Sequence, residues 1–162
     1  LMAHTPPLLE VEQNGYTIST DPARLDFGMI HSFLRESYWS PGIPRSVVER
    51  AAQNSLCFGV YHDSKQVGYS RIISDYVTFA YLADVFILPE HRGRGLSKWM
   101  VATVKSHPSL QGIRRWLLFT ADAHGLYAQF GFVADPAAAE RLMTWRDPAY
   151  EELVAKLDGK EA

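Results

Sequence analysis

Polar and apolar positions alternate from Tyr16 to Thr20, which predicts a first strand, and the period then changes. Asp21-Pro22 or Asp26 starts a helix that carries Ile30, Phe33 and Leu34 on one face and stops near Ser37. Pro41, Gly42 and Pro44 mark a loop, after which Ser46-x-x-Glu49 reads as a capping box for a short helix ending near Asn54. Leu56 to Tyr61 and Gln66 to Ser74 are two strands around the turn His62-Asp63-Ser64-Lys65, a hairpin by composition and spacing. Phe79 to Leu88 is a further strand. Leu96, Trp99, Met100, Thr103 and Val104 then recur at helical spacing until His107-Pro108 ends the pattern. Trp116 to Ala121 reads as a buried strand, Ala123 to Phe130 as a short helix and Arg141 to Arg146 as the last strand before a C-terminal helix from Pro148. Residues 1–14 are polar and broken by proline, a flexible segment outside the core.

The strand, helix and strand between Phe79 and Ala121 make a β-α-β unit with parallel strands, whereas the hairpin before it is antiparallel. The expected fold class is α/β: one domain over residues 1–162, with a mixed central sheet of about six to seven strands flanked by helices on both faces. In such a sheet the ligand crevice lies beyond the carboxyl ends of the strands, here at the end of Phe79 to Leu88.

At that place the chain reads Pro89-Glu90-His91-Arg92-Gly93-Arg94-Gly95-Leu96-Ser97, a basic, glycine-bearing turn that launches a helix. Glycine permits a tight turn and close approach of a ligand. The first N–H groups of the following helix lack intrahelical partners and, with the helix dipole, attract an anion. Arg92 and Arg94 add charge, so a pyrophosphate is the natural guest. A nucleotide-hydrolysing P-loop is a weak match because Leu96, not lysine, follows Gly95. A dinucleotide fingerprint is a weak match because Lys98 stands where a third glycine belongs.

Composition narrows the partners. A length of 162 residues with 47% hydrophobic content suffices for one core, and a net charge of −2 offers no general attraction to nucleic acid or to an acidic membrane. The single cysteine, Cys57, lies in the apolar run Leu56 to Tyr61 and reads as a core residue, which favours a reducing compartment. With no apolar stretch near the roughly twenty residues of a membrane span, the expected location is cytoplasmic. The six histidines show no metal-ligand spacing, so no metal is expected.

Arg92-Gly93-Arg94-Gly95-Leu96-Ser97 resembles the Arg/Gln-x-x-Gly-x-Gly/Ala signature of the GCN5-related N-acetyltransferase (GNAT) family, departing only at Ser97. A second segment, Ala123 to Phe132, resembles the family's Ala-x-x-Leu-Tyr-x-x-x-Gly-Phe pattern. The resemblance implies acetyl-CoA as co-substrate. Its pyrophosphate would lie on Arg92 to Ser97, and its pantetheine arm would pair with backbone groups of Val85, Phe86 and Ile87 where two strands splay. Ile87 and Leu88 would stabilise the oxyanion. Tyr127 would protonate the departing thiolate, and Thr120 stands where the family usually has asparagine. A glutamate that some relatives use as base is replaced by Arg115.

Asp84 is the alternative base, being the only carboxylate in an otherwise apolar strand beside the proposed thioester site. It reads equally as a group that holds a cationic substrate or neighbouring backbone. Asp122 reads as an N-cap and His124 as a surface or core residue. In the family the first helices and their connecting loop wall the acceptor site. Tyr38 and Trp39, with Tyr76, Phe79 and Tyr81, then outline an aromatic pocket for a small-molecule primary amine, which attacks acetyl-CoA directly without an acetyl-enzyme. The competing reading is a non-catalytic acyl-CoA-binding sensor or regulatory module. The C-terminal strand and helix offer an edge for a homodimer.

Overall fold

The computed structural model describes residues 4–161. Six strands form one sheet in the order β1-β2-β3-β4-β5-β6: β1 (Glu10–Gln13), β2 (Tyr16–Ser19), β3 (Leu56–His62), β4 (Lys65–Ser74), β5 (Phe79–Ile87) and β6 (Arg115–Leu117). The first five pair antiparallel and the last pair is parallel.

Two hairpins owe their register to turns with left-handed residues. Asn14 (φ 52°) and Gly15 (φ 80°) join β1 to β2, and Asp63 (φ 49°) and Ser64 (φ 65°) join β3 to β4, as two-residue turns between twisted strands require. The strand β1 corrects the expectation that residues 1–14 stand outside the core, because Leu9 and Val11 pack against it. Its alternation is masked by polar residues on the exposed edge.

The sheet separates two apolar layers, and successive residues of β3 serve different ones. Phe58 and Val60 pack with Met100, Val101 and Val104 of α3 (Leu96–Ser106). Cys57 joins Tyr69 and Phe86 in packing with Ile30 and Leu34 of α1 (Phe27–Leu34) and Val48 and Ala52 of α2 (Arg45–Gln53). Phe33 stacks on Phe86 with ring centroids 3.8 Å apart. Asp26 caps α1 by accepting the Met29 N–H at 3.0 Å, and its own N–H donates to Gln66 Oε1 at 2.7 Å, so the helix is keyed to β4.

Three further expectations are corrected. Ser46 does not cap α2. Pro44 holds that place, with its fixed φ, and Ser46 lies inside the first turn. The strand expected over Trp116 to Ala121 is only Arg115–Leu117, because the chain leaves β5 after Leu117. Arg141 to Arg146 forms no strand: it pairs with no neighbour, and Leu142, Met143 and Trp145 are exposed at 48%, 94% and 79%. A helical turn, α5 (Pro136–Ala139), and α6 (Pro148–Glu161) flank it.

His107, wholly buried, joins the N-terminal segment to the core. Its Nε2 faces the Pro7 carbonyl at 3.2 Å, and its Nδ1 accepts the Ser109 N–H at 3.1 Å, the pattern of a neutral imidazole. Burial holds its pKa below the ordinary 6.5, outweighing the Pro7 carbonyl, and the charge of His4 acts in the same direction as burial. Below pH 6.5 the unfolded chain therefore binds a proton that the folded chain resists, so stability falls as pH falls. The urea midpoint should drop between pH 7.5 and 5.5 more steeply in the wild-type protein than in His107→Gln, a comparison that equal slopes would contradict.

Candidate active site

β5 and β6 share only three paired positions, Phe79 with Arg115, Ala80 with Trp116 and Tyr81 with Leu117. β5 then continues to Ile87 while the chain after Leu117 turns away, and the sheet opens into a V. A cavity of about 430 Å³ occupies the gap. Its walls are Leu82 to Val85 of β5, Thr120 to Ala123 beyond β6, and the loop Tyr38 to Ser40, with Tyr127 reaching in from α4 (His124–Ala128). Backbone groups without a strand partner need another one, so the gap is chemically prepared for an extended, amide-bearing ligand.

The glycine turn lies at the carboxyl end of β5. Gly93 (φ 75°) and Gly95 (φ 76°) are left-handed, and a Cβ on either would meet nothing within 4 Å, so the space over the turn is open. Gly95 is the N-cap of α3 and no side chain caps that helix, which leaves its first N–H groups facing outward. Arg92 Nε–H donates to the Ile87 carbonyl at 3.0 Å, tying the turn to the strand, and Arg94 is exposed. Leu96 is buried and anchors the helix start, while Ser97 is half-buried.

Phe86 and Ile87 bury their side chains in opposite layers and offer a ligand backbone only. The Leu88 N–H donates to the Val67 carbonyl at 2.8 Å, so the oxyanion donor expected there is already engaged. The alternation of main-chain groups along β5 then turns those of Val85 and Ile87 toward the gap. Val85 lines the cavity, as do Tyr81, Tyr38 and Trp39; Tyr76 and Phe79 do not.

Asp84 sits in a β-bulge. Tyr69 pairs with Phe86 and Arg71 with Ala83, so Asp84 and Val85 together oppose Ser70, and Asp84 adopts φ 56°. Such a bulge re-aims a side chain, here at a cost on the order of 1 kcal/mol for a left-handed residue other than glycine. Asp84 Oδ2 accepts Arg71 Nε–H at 2.5 Å, and Oδ1 accepts the Trp39 indole N–H at 3.2 Å. Arg71 Nη1 also donates to Ser55 Oγ at 3.3 Å. Burial alone would lower the Arg71 pKa, but the Asp84 carboxylate beside it holds it above the ordinary value, so the guanidinium stays charged. The carboxylate that the sequence offers as a base, or as a holder of a cationic substrate or of backbone, is thus engaged through both oxygens, with Arg71 and Trp39.

Tyr127 is 7% exposed, and burial first, then the Tyr38 phenol and Asp122, push its pKa up to about 12. Thr120 Oγ1 accepts the Ala123 N–H at 2.9 Å and so supports the start of α4, the part expected of Asp122, which makes no such bond. His124 is exposed. Cys57 is buried against the Tyr69 hydroxyl at 3.2 Å, and burial, partly offset by that hydrogen bond, pushes its pKa up to about 11. It is a thiol at neutral pH, without the thiolate that nucleophilic attack needs.

Two contributors escaped the sequence reading. Phe119 was placed in a buried strand yet is 60% exposed on the cavity wall. Arg71 carried a usable signal, a lone cation inside an apolar strand one hairpin away from the lone carboxylate of β5. Among the described residues, no three His, Cys, Asp or Glu side chains converge as a metal site would require, and no helix is long and apolar enough to cross a membrane.

A sheet that parts beside a glycine turn, with a buried tyrosine in the gap, matches the architecture of an acetyltransferase. The chain belongs to the Acetyltransferase (GNAT) family, whose model matches residues 24–132. A Gibberella zeae protein described as a candidate acetyltransferase is 35% identical, with 70% of this chain and 76% of that protein covered. The crystal structure of a GNAT-family candidate acetyltransferase from Xanthomonas campestris pv. campestris is 51% identical, with a TM-score of 0.78 over 82% of this chain and 94% of that one. A Clostridium acetobutylicum protein described as a candidate acetyltransferase, solved with acetyl-CoA, shares the fold at 13% identity, with a TM-score of 0.57 over 81% of this chain and 94% of that one.

Removing one partner of the buried pair strands the other charge, so Arg71→Met should cost about 3 kcal/mol in urea unfolding. Combining it with Asp84→Asn should cost less than the sum of the two single changes by about 1 kcal/mol or more. Additive losses would show that the pair is not coupled.

Proposed function

We propose that this protein transfers the acetyl group of acetyl-CoA directly to the primary amine of a small molecule. The observation that carries this reading is the position of Tyr127, a buried phenol lining the gap between β5 and the chain beyond β6. The pyrophosphate of acetyl-CoA lies on the turn Arg92 to Ser97, held by the N–H groups at the start of α3 and by arginine charge. Its pantetheine arm pairs with Val85 and Ile87 backbone, which places the thioester in the gap.

The amine nitrogen attacks the thioester carbonyl carbon, the oxyanion is held by gap-facing N–H groups of β5, and collapse breaks the C–S bond. The departing sulfur takes the Tyr127 proton, and the phenolate regains one from water before the next turnover. With its pKa at about 12 the phenol keeps that proton throughout the neutral range, as a general acid must. The protonated amine gives its proton to water, because Asp84, bound to Arg71 and Trp39, acts in positioning the acceptor loop. No acetyl-enzyme forms on Cys57, whose thiol stays protonated and buried.

Melting in the presence of acetyl-CoA, CoA and ATP tests the guest: at one hundred times its dissociation constant a ligand stabilises by about 2.7 kcal/mol. Both CoA species should raise Tm by several degrees and ATP should not; stabilisation by ATP alone would contradict the assignment. Tyr127→Phe should retain the CoA shift and lose on the order of 10²-fold in kcat for amine-dependent thiol release. CoA binding without thiol release for any amine would leave a binding module.

A further inference from the structure

Two aromatic pairs line the cavity. Tyr38 and Trp39 meet edge to face with centroids 5.0 Å apart, and Tyr81 and Phe119 do so at 6.0 Å. Trp39 is backed by Phe33 at 6.2 Å, which itself stacks on the buried Phe86, and its indole N–H is fixed to Asp84. The Tyr38 hydroxyl accepts the Ala121 N–H at 3.1 Å, so the first pair is fastened to both arms of the V. These rings nevertheless leave much apolar surface open, with Tyr38 and Phe119 each 60% exposed and Trp39 39%. Exposed aromatic surface clustered around one cavity marks a place where another apolar body is to be covered.

Charge restricts that body. Among the described residues lining the cavity, the charged ones are Arg71, Asp84 and Asp122. The first two neutralise each other, and Asp122 is exposed to solvent. Among the described residues, a second ammonium would find only the solvent-exposed Asp122 outside an ion pair, and a second carboxylate would have to share an arginine already compensated. Burying either without a partner is unfavourable.

Resting on the transferase reading above, we propose that the acceptor is a primary amine carried on a flat aromatic body with no second charged group, held between the Tyr38–Trp39 and Tyr81–Phe119 pairs. The test compares kcat/KM for 2-phenylethylamine, hexylamine, spermidine and a lysine peptide in acetyl-CoA-dependent thiol release. It is paired with quenching of tryptophan fluorescence when 2-phenylethylamine is added to CoA-loaded protein. The aromatic amine should exceed hexylamine by about tenfold, the worth of one good aromatic contact, and its binding should saturate in the fluorescence titration. Phe119→Ala should raise KM about tenfold for the aromatic amine and less than about twofold for hexylamine, with the CoA-induced melting shift retained. Equal values for hexylamine, or a preference for spermidine or the peptide, overturn the aromatic acceptor and leave the transferase standing. Saturable binding of the aromatic amine without thiol release from any amine overturns the transferase and with it the acceptor.

Discussion

Three parallel ladder positions hold β5 to β6, and the chemistry of this chain depends on the pairing ending there. Had β6 continued alongside β5, its backbone would have satisfied Val85 and Ile87 and filled the gap. The left-handed Asp84 bulge comes three residues after the last paired position, at Tyr81, and a bulge bends its strand away from a regular neighbour. The opening is therefore set by local backbone geometry, and the two apolar layers hold it rigid from either side of the sheet.

The bulge also organises the cavity wall formed by the loop after α1. It turns the Asp84 carboxylate to where Arg71 of β4 and the Trp39 indole both reach it. A buried ion pair gives little net stability, since desolvation offsets attraction, but it fixes geometry when both partners are fully bonded. Here the geometry fixed is that of the loop after α1, fastened to β5 through Trp39 and to the far wall through Tyr38. At the other end of β5, Arg92 bonds the Ile87 carbonyl and sets the glycine turn beside the gap. One strand thus aligns the glycine turn, the parted gap and the loop after α1, to which the proposed function assigns the phosphates, the thioester and the acceptor.

The sequence revealed most of this where local chemistry and period agreed. The helix from Leu96, the His62 to Lys65 hairpin and the glycine turn were legible because apolar spacing, turn residues and stop signals coincided. β1 was missed although Asn14-Gly15 is a strong hairpin signal, because Glu10, Glu12 and Gln13 hide its alternation. Arg141 to Arg146 has apolar residues yet pairs with neither edge strand, β1 or β6, and strand propensity without a partner decides little. The site showed the same division. The glycine turn with Gly93 and Gly95 was legible from its composition, and Tyr127 was singled out only through the resemblance of Ala123 to Phe132 to a family pattern. The Asp84–Arg71 pair and the outward turn of Phe119 depend on a bulge and on where a strand stops, which are tertiary outcomes.

Amide hydrogen exchange with and without acetyl-CoA tests the central claim, that the parted strands and the glycine turn form one site. Added acetyl-CoA should slow exchange together at Leu82 to Ile87, at Leu96 to Lys98 and at Leu118 to Ala121. Protection confined to the glycine turn, with the gap exchanging as before, would contradict it.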